Sequence, residues 1–191
     1  MEKFVEDQVF TDIDFTTSPL AAATFDGCTF TKCDFSSLIL GSRTFSSCVF
    51  TDCNFSLVQP GNTSFQEAVF KGCKMLGMRF DQCNDFGLSF SFEQCQLNHS
   101  TFHGKKLKKM VFRECQLQEA DFSGCDLTAA VFEQCDLHLA LFEQTLLEKA
   151  DLRTAYNYAI DPTVNRIKKA KFSLTGVPGL LHKFDIVIEN K

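Results

Sequence analysis

The stretch FSSCVFTDCNF, residues 45–55, places Phe at 45, 50 and 55 and Cys at 48 and 53. A spacing of five fits neither an amphipathic helix, which returns to one face after three or four residues, nor a strand, which alternates by two. It asks for a backbone that turns a corner every five residues.

The same frame runs outward in both directions. Apolar centres recur at every fifth position from Phe10 to Phe80, interrupted only by Pro60, and in a second register from Phe92 to Leu152. Two residues before each centre lies a second slot. All ten Cys fall in it, sharing it mostly with Ala. Cys that follows a packing lattice behaves as a small buried hydrophobe rather than as a nucleophile or a metal ligand. The positions argue against a disulfide framework for the same reason.

A longer period overlies the short one. TFDGCTFTKCDFSSL begins at Thr24 and TFSSCVFTDCNFSLV at Thr44, while FEQCQL, FRECQL and FEQCDL begin at Phe92, Phe112 and Phe132. Each step is 20 residues, or four pentads. Units of this length signal a solenoid whose repeats cannot bury a core alone. The predicted fold is an all-β solenoid, a four-sided parallel β-helix with residues i and i+20 stacked at strand spacing, about 4.8 Å. Phe and Leu form the inner columns, and Cys and Ala fill the corners between them. Such a rod measures roughly 20–25 Å across, close to duplex DNA.

The frame breaks in three places. Between Phe80 and Phe92 the register shifts by two, so residues 81–91 hold an insertion or bulge, read either as a partner-facing loop or as a tolerated irregularity eased by Gly87. Arg43 and Lys105 occupy inward slots, where an unpaired charge is costly, and both are expected to escape outward. Lys105 opens a basic cluster, residues 105–109, read as a solvated face or a partner contact. After Leu152 the pentads stop. Asp161 and Pro162 suggest a helix start, TGVPGLLHKF a second short helix or turn, and DIVIE a brief strand. Residues 1–154 are thus read as the β-helix and 155–191 as a C-terminal cap.

The chain has 191 residues with 22 Phe, 10 Cys, no Trp and a formal charge of −5. Residues 1–152 carry 21 acids and 12 bases, whereas 153–191 carry 3 acids and 7 bases. No stretch approaches the ~18 apolar residues of a membrane span, and the acidic start MEKFVEDQVF is no secretory signal, so a cytoplasmic protein without membrane contact is expected. His99, His103, His138 and His182 do not sit with Cys at metal-ligand spacing, and there is no Gly-rich phosphate loop. No enzyme activity and no cofactor are expected.

The pattern resembles the pentapeptide-repeat family, whose motif reads A(D/N)LXX. ADFSG at 120–124 and ADLRT at 150–154 match it, and CDFSS and CDLTA are its Cys variant. The resemblance spans roughly residues 8–154 and implies a right-handed quadrilateral β-helix. NFSLVQPGNTSF (54–65), CKMLGMRF (73–80), SFEQCQLNHSTF (91–102) and NYAIDPTVNRIKKAKFSL (157–174) resemble the albicidin-resistance, microcin B immunity and Qnr quinolone-resistance group. That resemblance implies a DNA mimic that binds DNA gyrase or topoisomerase IV and protects it from a toxin or antibiotic, with no direct nucleic-acid binding. It also implies a homodimer joined through the C-terminal tails, for which Leu180, Leu181, Phe184, Ile186 and Ile188 are the candidates. Asp121, Asp126, Asp136 and Asp151 are the candidate acidic contacts. The other reading is a generic interaction or scaffolding rod with an unrelated partner.

Overall fold

The computed structural model describes residues 2–20 and 22–189. The chain winds into a four-sided parallel solenoid, and we number its walls in the order in which each coil visits them. The first wall opens as a four-stranded sheet of Glu2–Glu6, Ala22–Asp26, Thr44–Ser46 and Ser64–Gln66. It continues as single bridges joining Lys106, Asp126, Leu146 and Arg166. The second wall is a nine-stranded sheet from Val9–Thr11 to Lys171–Phe172, which amounts to about eight turns. Bridges from Asp14 to Tyr156 build the third wall, and bridges such as Arg79 to Thr101 to Asp121 to Leu141 build the fourth.

The pentad follows from what each position must do. Its centre points inward, and the rings stack in columns. Phe30 lies over Phe10 at 4.8 Å and Phe50 over Phe30 at 4.9 Å, nearly parallel. Neighbouring columns meet edge to face, as Phe30 and Phe45 do at 6.1 Å and 76°, a favoured aromatic geometry. The residue two before the centre fills the corner. All ten Cys are free and buried there. Thr145 takes the same slot and donates its hydroxyl to the Phe122 carbonyl at 3.0 Å, as the Cys125 thiol one coil earlier donates to the Phe102 carbonyl.

The outer positions are fixed just as firmly. An Asp or Asn directly before the centre accepts the N–H two residues on: Thr16 to Asp14 at 2.8 Å, Ser36 to Asp34 at 2.7 Å. This self-capped turn is what short polar acids favour. Two residues after the centre the backbone goes left-handed, with φ of 53° at Lys32, 54° at Asp52 and 60° at Lys109. Gly72 and Gly124 sit at equivalent corners.

Several expectations change. The coil does not stop at 154. Tyr156 and Arg166 continue their bridges, and Lys171–Phe172 pairs with Asp151–Leu152. Asn165 occupies a corner slot and donates to the Phe142 carbonyl at 2.8 Å. No helix starts at Pro162: Asp161 caps a turn, accepting the Thr163 N–H at 2.8 Å. The tail then forms 3-10 turns around one short helix, α1 (Pro178–Leu181). Residues 185–189 form no strand.

Lys105 does not escape. It is 6% exposed, and its Nζ donates to the Cys83 carbonyl at 2.7 Å and to Asp85 at 2.6 Å. Arg43 stays half-buried and donates to the carbonyls of Ala22 and Leu40. The insertion changes the stacking step from 20 to 22: Phe50 pairs with Phe70, then Phe70 with Phe92. The extra residues loop out at the first wall, where Phe86 is 82% exposed.

Candidate interaction surface

The four candidate aspartates all precede a centre and all cap their own turn. Asp121 accepts the N–H of Ser123, Asp126 that of Thr128, Asp136 that of His138 and Asp151 that of Arg153. Their side chains are not fully exposed, as the sequence alone suggests: those of Asp121, Asp126 and Asp151 are 31%, 17% and 18% exposed. The coil also separates them. Asp126 lies on the first wall, Asp151 on the second, Asp136 on the third and Asp121 on the fourth. No flat partner touches all four; a partner that encircles the rod does.

Neighbours partly neutralise them. Lys108 reaches Asp126 at 3.2 Å, and Arg153 reaches Asp151 at 2.8 Å with Lys171 at 3.7 Å. Gln118 and Asn157 donate to Asp136. Burial raises the carboxyl of Asp126, but hydrogen bonds from Thr128 and the Lys108 ammonium outweigh it and hold the carboxyl below its ordinary value. At Asp136 burial is likewise outweighed, by Gln118 and Asn157. At Asp151 the hydrogen bonds from Arg153 lead and lower it. All three remain ionised at neutral pH.

Acids at the left-handed corners are easier to reach. Asp12, Asp52 and Glu114 lie on the corner column after the second wall, with Lys32, Gly72 and Gln94 between them, and are exposed. The signal that could have found them is their place two residues after a Phe centre.

The candidate dimer residues divide. Leu180 packs against the core and Leu181 is half-buried, whereas Phe184, Ile186 and Ile188 are 53%, 55% and 51% exposed. The tail is pinned at its base. Gly179 accepts the Ile160 N–H at 3.0 Å, and Lys183 reaches Asp161 at 2.8 Å. Gly176 and Gly179 press on Tyr158 so closely that an added Cβ would lie 2.0 Å from its hydroxyl and 2.2 Å from its carbonyl oxygen.

Among the described residues no group of His, Cys, Asp and Glu could hold a metal ion, and no helix is long and apolar enough to cross a membrane. The interior is filled by side chains. A surface hollow of about 480 Å³ lies beside Leu139, Leu141 and Val164 near the C-terminal end.

Such a stack of five-residue turns defines a class, the parallel β-solenoids with four sides. The family model described as pentapeptide repeat region matches residues 85–152, and the structure carries the same pentad pattern on either side of that match. Residues 85–152 are thus a pentapeptide-repeat region, and the described chain as a whole has the pentapeptide-repeat β-solenoid fold. Its fold is similar to that of trypsin-treated QnrB1, a plasmid-mediated fluoroquinolone resistance protein, at 17% identity over 99% of both chains with a TM-score of 0.52. It is also similar to HetL, a pentapeptide repeat protein involved in heterocyst differentiation regulation from the cyanobacterium Nostoc, at 14% identity over 92% of this chain and 88% of that one with a TM-score of 0.54. No curated protein matches the chain at a significant level.

Proposed function

We propose that this rod binds a type II topoisomerase, DNA gyrase or topoisomerase IV, by imitating duplex DNA, and thereby shields it from a poison. The observation that carries the reading is the distribution of carboxylates around all four walls of a rod of DNA-like width. A DNA-binding channel presents cations around its occupant, and an occupant with acids on every side is drawn into it. The fold likeness to a fluoroquinolone resistance protein along the full length supports the same reading. The rod acts as a binding surface and not as a catalyst. We further propose that two rods join through the exposed tail residues Phe184, Ile186 and Ile188, giving one longer cylinder.

Charge density sets the strength. Duplex DNA carries one charge per about 1.7 Å of axis, far more than this rod, so the complex is weaker than DNA binding and salt-sensitive. The test is a gyrase supercoiling assay with and without a gyrase poison at low salt. The protein is expected to compete with DNA and, at low concentration, to relieve the poison. Because the four aspartates hold turns, the informative variant is Asp→Asn at all four, which keeps an acceptor and removes the charge. It should weaken the effect while leaving the melting temperature within a few degrees. A native protein that neither binds gyrase nor changes supercoiling returns the rod to the scaffold reading, which the equally similar fold of HetL suits.

A further inference from the structure

Coiling gathers cations that are far apart in the sequence. Lys106 and Lys109, Lys149, and Lys168 and Lys169 come from three segments, yet all lie on the C-terminal half of the first wall and its corner. The corner column is Lys109, Ala129, Lys149 and Lys169, four residues with φ of 60°, 59°, 60° and 61°. Backbone bonds step along it: Lys109 N–H to the Thr128 carbonyl, Ala129 N–H to that of Glu148, Lys149 N–H to that of Lys168.

These five lysines have no carboxylate within ion-pair distance among the described residues. This half of the wall holds two further cations, and those two neutralise its two acids: Lys108 pairs with Asp126 at 3.2 Å and Arg166 with Glu148 at 3.0 Å. The five remaining charges are therefore uncompensated, on a protein whose overall charge is −5. A hollow of about 190 Å³ opens at the edge of this patch, lined by Ser89, Ser91, Lys106, Lys108 and Lys109. Hydroxyls and ammonium groups around a recess of that size suit a phosphate.

We propose that this wall is a docking strip for a nucleic-acid phosphate backbone, independent of the topoisomerase reading and opposite to the expectation that the rod makes no nucleic-acid contact. The strip covers three coil steps, about 14 Å. One DNA strand places a phosphate every 3.4 Å of axis, so about four phosphates face it. The acids on the opposite, third wall do not cancel it. They lie roughly 20 Å away across the rod, beyond the Debye length of about 10 Å at 0.1 M salt. Of the nearer acids, Asp126 and Glu148 on the strip are paired with Lys108 and Arg166, and Asp151 and Glu133 on the adjoining second wall are paired with Arg153 and Arg113.

The test uses the full chain alone, without topoisomerase, and reads fluorescence anisotropy of a labelled duplex and of a single strand of the same length. Binding is expected at about 25 mM salt, with log K falling against log salt at a slope of about −3, the value for three to four displaced counterions. Lys149→Glu, Lys168→Glu and Lys169→Glu together should weaken it about tenfold or more and flatten the slope, with an unchanged melting temperature. Repeated at about 0.1 M salt, Lys32→Glu with Lys74→Glu, on other walls, should leave affinity within about twofold, because those charges then lie beyond screening distance of the strip. Absence of binding to both nucleic acids at about 25 mM salt overturns the proposal. So does equal loss in the Lys32/Lys74 variant, or polyglutamate binding as tightly as DNA, which would make the strip a site for acidic protein. A duplex bound better than a strand assigns the source to double-stranded nucleic acid, and the reverse to single-stranded.

Discussion

The sulfur of Cys48 lies 3.5 Å from the Phe25 carbonyl and 3.3 Å from that of Ser46, wholly screened from water. Burial pushes its thiol, and those of Cys83 and Cys125, up to about 12. At neutral pH both folded and unfolded thiols are protonated, so no stability is at stake. Above about 9 the unfolded chain gives up protons that the fold retains, and the proton-poor state gains. Stability is therefore expected to hold level up to about pH 9 and to fall between 9 and 12. Denaturant melts across that range check the direction. A thiol reagent at neutral pH should modify the native protein far more slowly than the unfolded chain; equal rates would place the sulfurs outside.

At the scale of the element, the insertion shows what one buried ammonium does. Lys105 takes a corner slot that elsewhere holds mostly Cys or Ala, and it meets Asp85 in the looped-out segment. The pair ties the two-residue excess back onto the rod where the stacking step changes. Asp85→Ala leaves the buried ammonium with one carbonyl and is expected to cost about 1–2 kcal/mol. Lys105→Met, which fills the slot without a charge, should restore much of it. A melt showing Asp85→Ala unchanged would mean that the loop anchors itself by other contacts. The same element marks the limit of legibility. Phe and Cys spacing gave away the columns, the corners, the period and the shift between Phe80 and Phe92, because each position obeys a volume rule. The partner of Lys105 was hidden, since only the fold shows that an insertion brings Asp85 over it. The coil past 154 was hidden for a related reason: Asn165 and Ile167 stand where the rule expects Cys or Ala and Phe or Leu, and Asn works there by hydrogen bonding rather than by size. The aspartates were legible as acids but not as turn caps, and their scatter over four walls emerges only once the chain is wound.

Taken as a whole, the molecule has two unlike ends. At the C-terminal end the docked tail covers the last coil, and beyond it Phe184, Ile186 and Ile188 stay half-exposed. Because Gly179 and Lys183 hold the tail to the rod, truncation would confuse capping with assembly. Point changes separate them. The intact protein is expected to scatter light as a dimer, twice 21.5 kDa, and Phe184→Ser with Ile186→Ser and Ile188→Ser to scatter as a folded monomer. A monomer for the intact protein at micromolar concentration sinks the tail-to-tail arrangement.

The ladder bonds described above run along the rod from coil to coil. A machine that grips the ends and pulls loads those bonds in series, one coil boundary after another, rather than all together. The rod should part as a stack of rings does, each ring yielding in turn and paying out 20 residues, about 65 Å of extended chain. A stretched single molecule would trace a regular saw-tooth, with one longer tooth of 22 residues at the insertion. Resistance is thus metered in equal steps along the axis.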